Sequence, residues 1–280
     1  MIVDCHTRIW NSPDQLGPHG GAWLARNGGL ANLTADTGEH LAAARPAQRS
    51  LVWGFRSSLA GADIPNAFLA DYVAQHPAEM IAIAAVDPAE PDALERLANI
   101  QRRTEFGGIT LCPAAQGVHP ADSRVLPIYQ FCAEHGLPVF IENAADFAPR
   151  GVLEFARPML YDEIARLFPD LTILIAGLGW PWVGECAALL AKQPRVFADF
   201  AELLRRPWDA WHALLIAHQF GVARKLVFGS DFPFATAAGA LERTYRVNEI
   251  IHGTSLPVIP REVLRGIVEG DAIKELALRV

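Results

Sequence analysis

Eight short apolar runs separated by longer amphipathic ones run through this 280-residue chain and leave few folds open to it. The runs cover residues 2–5, 50–55, 80–86, 107–112, 137–142, 171–176, 195–200 and 225–229. Each is too short for a typical helix. Most are rich in Val, Ile, Leu or Phe without polar alternation, as in parallel strands covered on both faces. Helical patterns fill the gaps at 64–76, 91–104, 123–135, 158–168, 181–191 and 207–220, with two more at 237–251 and 260–278. Prolines stand near several helix starts, where the missing N–H costs nothing, and Gly136 stops the third helix. The alternation favours an α/β fold, a (β/α)8 TIM barrel. A doubly wound open sheet is the alternative, but no glycine-rich phosphate loop follows the first strand.

One segment breaks the rhythm. Residues 11–49 separate the first two strands, are rich in Gly, Pro, Asn and Ala, and show weak periodicity. They read as a lid-like loop insertion with at most one short helix, on the face where barrel enzymes place their sites. Neither repeat nor linker divides the chain, so residues 1–280 read as a single domain.

Charge and composition remove several classes of function. A formal net charge of -7 gives no electrostatic footprint for nucleic acid. No apolar stretch reaches the roughly 18 residues that a membrane-spanning helix needs, and no basic-then-apolar leader opens the sequence. Cys5, Cys112, Cys132 and Cys186 are scattered without a CxxC pair and read as reduced, buried thiols of a cytoplasmic protein. The expected partner is a small, anionic molecule.

In such a barrel, side chains at the C-terminal strand ends converge on one pocket. Those positions hold His6 and Arg8, Arg56, Asp87, Cys112, Glu142 and Asn143, Gly177, Asp199, and Asp231. An ionisable residue ending an apolar strand is easier to explain by a site than by a core. Asp87 and Asp199 read first as turn or cap acceptors, and Cys112 as a structural thiol. Asp231, in Phe-Gly-Ser-Asp-Phe-Pro, reads as functional because the tight Gly-Ser turn sets its direction.

These motifs carry a resemblance. Ile-Val-Asp-Cys-His-Thr at 2–7, Ile-Pro-Asn at 64–66, Gly-Ile-Thr-Leu-Cys-Pro at 108–113, Phe-Pro-Asp-Leu-Thr-Ile at 168–173, Leu-Gly-Trp-Pro-Trp at 178–182 and Val-Phe-Gly-Ser-Asp-Phe-Pro at 227–233 occur in this order. The chain resembles the amidohydrolase-related branch of the amidohydrolase superfamily, which includes aminocarboxymuconate-semialdehyde decarboxylase and resorcylate-type decarboxylases. The resemblance implies a barrel with a metal-activated water, and a homodimer as a common assembly. It implies ligands at two histidines after strand one, a histidine after strand five, often one after strand six, and an aspartate after strand eight. His6 and Asp231 are retained; the other positions hold Arg8, Glu142 and Gly177.

A guanidinium cannot donate a lone pair to a cation. Arg8 facing Glu142 and Asp231 therefore makes a charge-compensated cluster, and the expectation is that no cofactor is bound. A divalent metal such as zinc on His6, Glu142 and Asp231 is the disfavoured alternative. The expected activity is hydrolysis of a small carboxylate or lactone, as in the pyrone-dicarboxylate lactonases of the wider superfamily. Asp231 would be general base and Arg8 the anion or oxyanion contact, with His6 and Glu142 completing the catalytic set. Arg56, His119, Asn143 and Trp180 are the candidate substrate contacts, and His19 and His40 could reach the site from the insertion. Two alternatives stay open: an inactive barrel that binds a small anion, and a metal-dependent hydrolase or decarboxylase.

Overall fold

Alternation along the strands builds the architecture. The structure, a computed structural model, describes residues 1–28, 33–143, 147 and 149–279. Eight parallel strands form the barrel: β1 (Val3–Thr7), β2 (Arg49–Trp53), β3 (Met80–Ala85), β4 (Phe106–Leu111), β5 (Val139–Ile141), β6 (Ile173–Ile175), β7 (Val196–Asp199) and β8 (Leu226–Val227). Each pairs with the next in sequence order. Closure comes from Cys5 N–H on the Phe228 carbonyl at 2.8 Å, Asp231 N–H on the His6 carbonyl at 2.9 Å, and a parallel bridge between Thr7 and Phe232.

Two hydrophobic clusters share the strands. Leu51, Trp53, Ile81, Ile83, Phe140, Leu174 and Val227 form one, plugged by Ala272, Leu276 and Leu278 near the C-terminus. Val52, Ala82, Ala84, Val139, Ile141, Ile173, Ile175, Val196 and Ala198 pack outward with the helices in the other. Successive side chains thus go to opposite faces and both faces are buried, which is why the runs lack polar alternation. The expected barrel is the observed fold.

Element ends depart from the sequence reading for local reasons. The long C-terminal pattern is two helices, Arg261–Glu269 and Ala272–Glu275. Gly270 interrupts it, and the Asp271 carboxylate accepts from the Lys274 N–H at 3.2 Å to cap the second helix. The pattern at 237–251 is the helix Ala237–Tyr245 followed by a 3-10 turn, Val247–Ile251. A small antiparallel hairpin, Arg56–Ser57 with Ala62–Asp63, was not legible in the sequence.

The 11–49 insertion holds more structure than expected. It contains a 3-10 turn (Pro13–Leu16) and two helices, Gly20–Gly28 and Thr37–Ala43; residues 29–32 lie outside the described part. Leu16, Trp23, Leu24 and His40 are buried, and Trp23 meets Phe234 edge-on with ring centroids 5.5 Å apart. Among the described residues, no helix is long and apolar enough to cross a membrane.

Candidate active site

A register shift in β1 aims the first two site residues. Val3 and Asp4 pair with Arg49 and Ser50, but Thr7 pairs with Val52, so β1 carries one extra residue there. A bulge of this kind reverses the inward–outward phase. The His6 ring then stacks on Trp53 inside the barrel at 4.2 Å, 5° from parallel. Arg8, two residues on, shares that face. Glu142 follows Phe140 by one strand repeat and Asp199 follows Phe197 by another, so both continue inward-facing rows past the apolar layers.

Asp231 is aimed differently. Its backbone lies in the left-handed region at φ 63, uncommon for a non-glycine residue. The turn is over-determined: Asp231 N–H bonds to His6, its carbonyl accepts from Phe234 N–H at 2.9 Å, and Asp4 Oδ1 accepts from Ser230 N–H at 2.8 Å. Gly229 must lack a side chain, since an added Cβ would lie 2.8 Å from the His6 Cβ.

Three ion pairs meet at the strand ends. His6 Nδ1 lies 3.0 Å from Asp199 Oδ2, Arg8 Nη2 pairs with Glu142 Oε2, and Arg205 Nε sits 3.0 Å from Asp231 Oδ2. His6 Nε2 reaches to 4.0 Å from Glu142. His6, Arg8, Glu142, Asp199 and Asp231 are all buried. Burial opposes charge on His6, yet the Asp199 carboxylate and its hydrogen bond, with Asp231, outweigh it and raise its proton affinity. Burial also raises Asp231, against the pull of Arg205, His6 and Arg8. Arg8 is lowered to about 10 by burial and stays cationic at neutral pH. Its Nε is buried with no hydrogen-bond partner among the described residues. A cavity of about 670 Å³ opens on the far side of Arg205, whose guanidinium lies over the Phe234 ring that also lines it.

The structure brings His6, Arg8, Glu142 and Asp231 together, as the strand ends suggested. It gives the other candidates partners of their own. Arg56 is held by both carboxylate oxygens of Glu90 at 2.7 Å and by Asp63 at 2.6 Å. His119 Nδ1 accepts from the Ala121 N–H within its own turn and its ring meets Phe155. Its contacts are those of a turn residue. Asn143 donates from Nδ2 to the Trp180 carbonyl, and its Oδ1 is buried without a partner among the described residues. Trp180 lies flat beneath the Arg206 guanidinium at 3.9 Å.

His40 is a core residue, bonded to Tyr72 at 2.8 Å and Thr7 at 2.9 Å, and burial depresses its pKa to about 4. Asp87 is a turn acceptor, taking the Ser58 and Ala89 N–H groups. Asp199 accepts from Gly177 and Ala201 but also orients His6, a role the turn reading missed. Arg205 and Glu202 were missed altogether, because they sit on a 3-10 turn (Ala201–Arg205) with no sequence signature. The period-two step from Phe197 was the signal that could have found Asp199.

Acids, arginines and one imidazole thus gather at the C-terminal mouth of the barrel, the end where α/β barrels carry their sites. The amidohydrolase family model matches residues 3–276, and the chain belongs to that family. No curated protein matches the sequence. Solved structures share the fold. An uncharacterised TIM-barrel protein from Bordetella bronchiseptica is 21% identical, with 99% of this chain and 98% of that one covered and a TM-score of 0.74. A probable 2-pyrone-4,6-dicarboxylic acid hydrolase from Acinetobacter baumannii, with citric acid bound, is 14% identical over 99% of both chains, TM-score 0.67. An amidohydrolase from Burkholderia multivorans with bound zinc is 15% identical over 99% of both chains, TM-score 0.68.

The zinc-bound structure corrects the expectation that no cofactor is involved, and so does a manganese-bound 5-carboxyvanillate decarboxylase from Novosphingobium aromaticivorans. Metal is used on this fold. The side chains here, as arranged, do not fit a divalent ion. Glu142 and Asp231 each carry a guanidinium, Gly177 has no donor, and no group of three His, Cys, Asp or Glu among the described residues could hold one.

Proposed function

We propose that this protein hydrolyses a small lactone or ester that carries a carboxylate, with Asp231 as the general base toward water. The reading is carried by one observation: the Arg8 Nε–H is a buried donor without a partner among the described residues, in the same cluster as Asp231. A buried orphan donor costs free energy unless something fills it. An anionic oxygen of the substrate, or the oxyanion formed on attack, is the chemistry that satisfies a guanidinium best. Asp231, its proton affinity raised by burial, is a better base toward water than an ordinary carboxylate. His6, fixed by Asp199 and by Trp53, and Glu142, fixed by Arg8, hold the surrounding charge in place. Asn143 Oδ1, buried without a partner among the described residues, is the acceptor for a substrate hydroxyl, with Trp180 as the adjoining wall. The relative described as a probable pyrone-dicarboxylic acid hydrolase, holding citric acid, is in keeping with a polycarboxylate in such a barrel.

The test is direct. Purified protein is given 2-pyrone-4,6-dicarboxylate and, in parallel, 5-carboxyvanillate. Ring opening of the pyrone, lost in Asp231→Asn, is the expected result. Decarboxylation of 5-carboxyvanillate in its place, or no conversion of either compound, would overturn the proposal.

A further inference from the structure

The residue after β6 has given its space to another side chain. Gly177 adopts φ 56, and a Cβ built there would meet Glu202 Oε1, Cδ and Cγ at 2.5, 2.6 and 2.7 Å. The carboxyl of Glu202, delivered by the turn after β7, thus occupies the slot that a side chain on the β6 end would fill. Any residue but glycine at 177 would expel it.

The surroundings of Glu202 are specific. Its nearest ionic partner is Arg206 Nη2 at 3.9 Å, beyond hydrogen-bond distance, and Arg206 is shared with Asp209 at 3.2 Å and with the Trp180 face. The other charges that act on it are Asp231 after β8, Asp199 at the end of β7 and His6 on β1. Its side chain keeps 17% of its accessible surface. Burial, then the charge of Asp231, pushes this carboxyl up to about 8. At neutral pH it holds a proton, within the electrostatic reach of Asp231.

We propose that Glu202 is a second catalytic carboxyl, the general acid for the departing oxygen, and that residue 177 is glycine because this carboxyl needs its slot. The assignment rests on the hydrolase reading above. Asp231 takes a proton from water as the water oxygen bonds to the lactone carbonyl carbon. The carbon–oxygen ring bond then breaks, and the ring oxygen takes the Glu202 proton. The proton on Asp231 returns to Glu202 through solvent, and the net reaction is lactone plus water giving the open acid.

The test uses two readouts. Infrared difference spectra between wild type and Glu202→Gln at pH 6.5 should show one carboxylic-acid carbonyl band that the variant lacks. With 2-pyrone-4,6-dicarboxylate, Glu202→Gln should lower kcat by about 100-fold or more with KM little changed, and should remove the alkaline limb of the kcat profile. Gly177→Ala should displace the carboxyl and reproduce both losses. A missing infrared band overturns the proposal whatever the kinetics. A normal kcat and alkaline limb in a folded Glu202→Gln variant overturn the acid role while leaving the hydrolase reading standing. If wild type turns over no lactone, the hydrolase reading and the acid role fall together, and the infrared band reports only on the slot.

Discussion

The two ends of the barrel interior are built from the same strands and obey opposite rules. Toward the N-terminal end, Val3, Leu51, Ile81, Phe140 and Leu174 fill the bore and the C-terminal Leu276 and Leu278 close it. Farther along β1, β5 and β7, the inward rows continue as His6, Arg8, Glu142 and Asp199. The lower layers release free energy by burying apolar surface. The upper layer places ions where water solvates them poorly, and each is tolerable only because it has a partner. The lower half therefore holds the barrel together, and the upper half spends stability on an electrostatic environment.

That contrast can be broken by substitution. Asp231→Asn should lower turnover of the pyrone substrate by about 10²–10⁴-fold in protein that stays folded, the urea midpoint falling only by what the lost pair with Arg205 contributes. Phe140→Ala should do the reverse, costing about 3–5 kcal/mol in urea unfolding and leaving kcat per folded molecule intact. Arg8→Leu should cost about 3 kcal/mol because it strands Glu142 without its partner. The double variant Arg8→Leu/Glu142→Leu should recover most of that stability and none of the activity, which a double-mutant cycle would measure. Equal stability loss in single and double variants would show that the pair is a structural strut.

A smaller effect sharpens the role of the insertion. Burial holds His40 at about 4, below its ordinary 6.5. Between those values the unfolded chain binds the extra proton, so the contribution is present above pH 6.5 and is lost as pH falls toward 4. Urea titrations should show roughly 3 kcal/mol of this loss in wild type and not in His40→Gln. At the low end, Arg246→Ala removes exposed pairs with Glu242 and Glu249 and should leave the unfolding midpoint unchanged.

That His6, Arg8, Glu142 and Asp231 would lie together was legible because strand ends converge in a barrel. Arg56 and His119 satisfied the same rule and were claimed by local partners instead, Glu90 with Asp63 in one case and a turn amide in the other. Arg205 and Glu202 reach the mouth from a 3-10 turn, whose direction no periodicity announces. The expectation that no metal is involved went beyond what a ligand count can decide, as zinc and manganese on the same fold show.

Apolar periodicity by itself determined the number of strands and their parallel, doubly covered character, because each run must bury both faces and short runs can do so only between helices; the missing glycine-rich loop after the first strand favoured a closed barrel over an open sheet. It also determined which end of each strand would carry ions. Tertiary structure alone decided which charges meet. One extra residue in β1 turns His6 and Arg8 inward, a left-handed turn aims Asp231, and an empty Cβ position at Gly177 admits Glu202 from a different loop. These are relations between segments far apart in the chain, set by packing at distances of a few ångströms, and no local pattern encodes them.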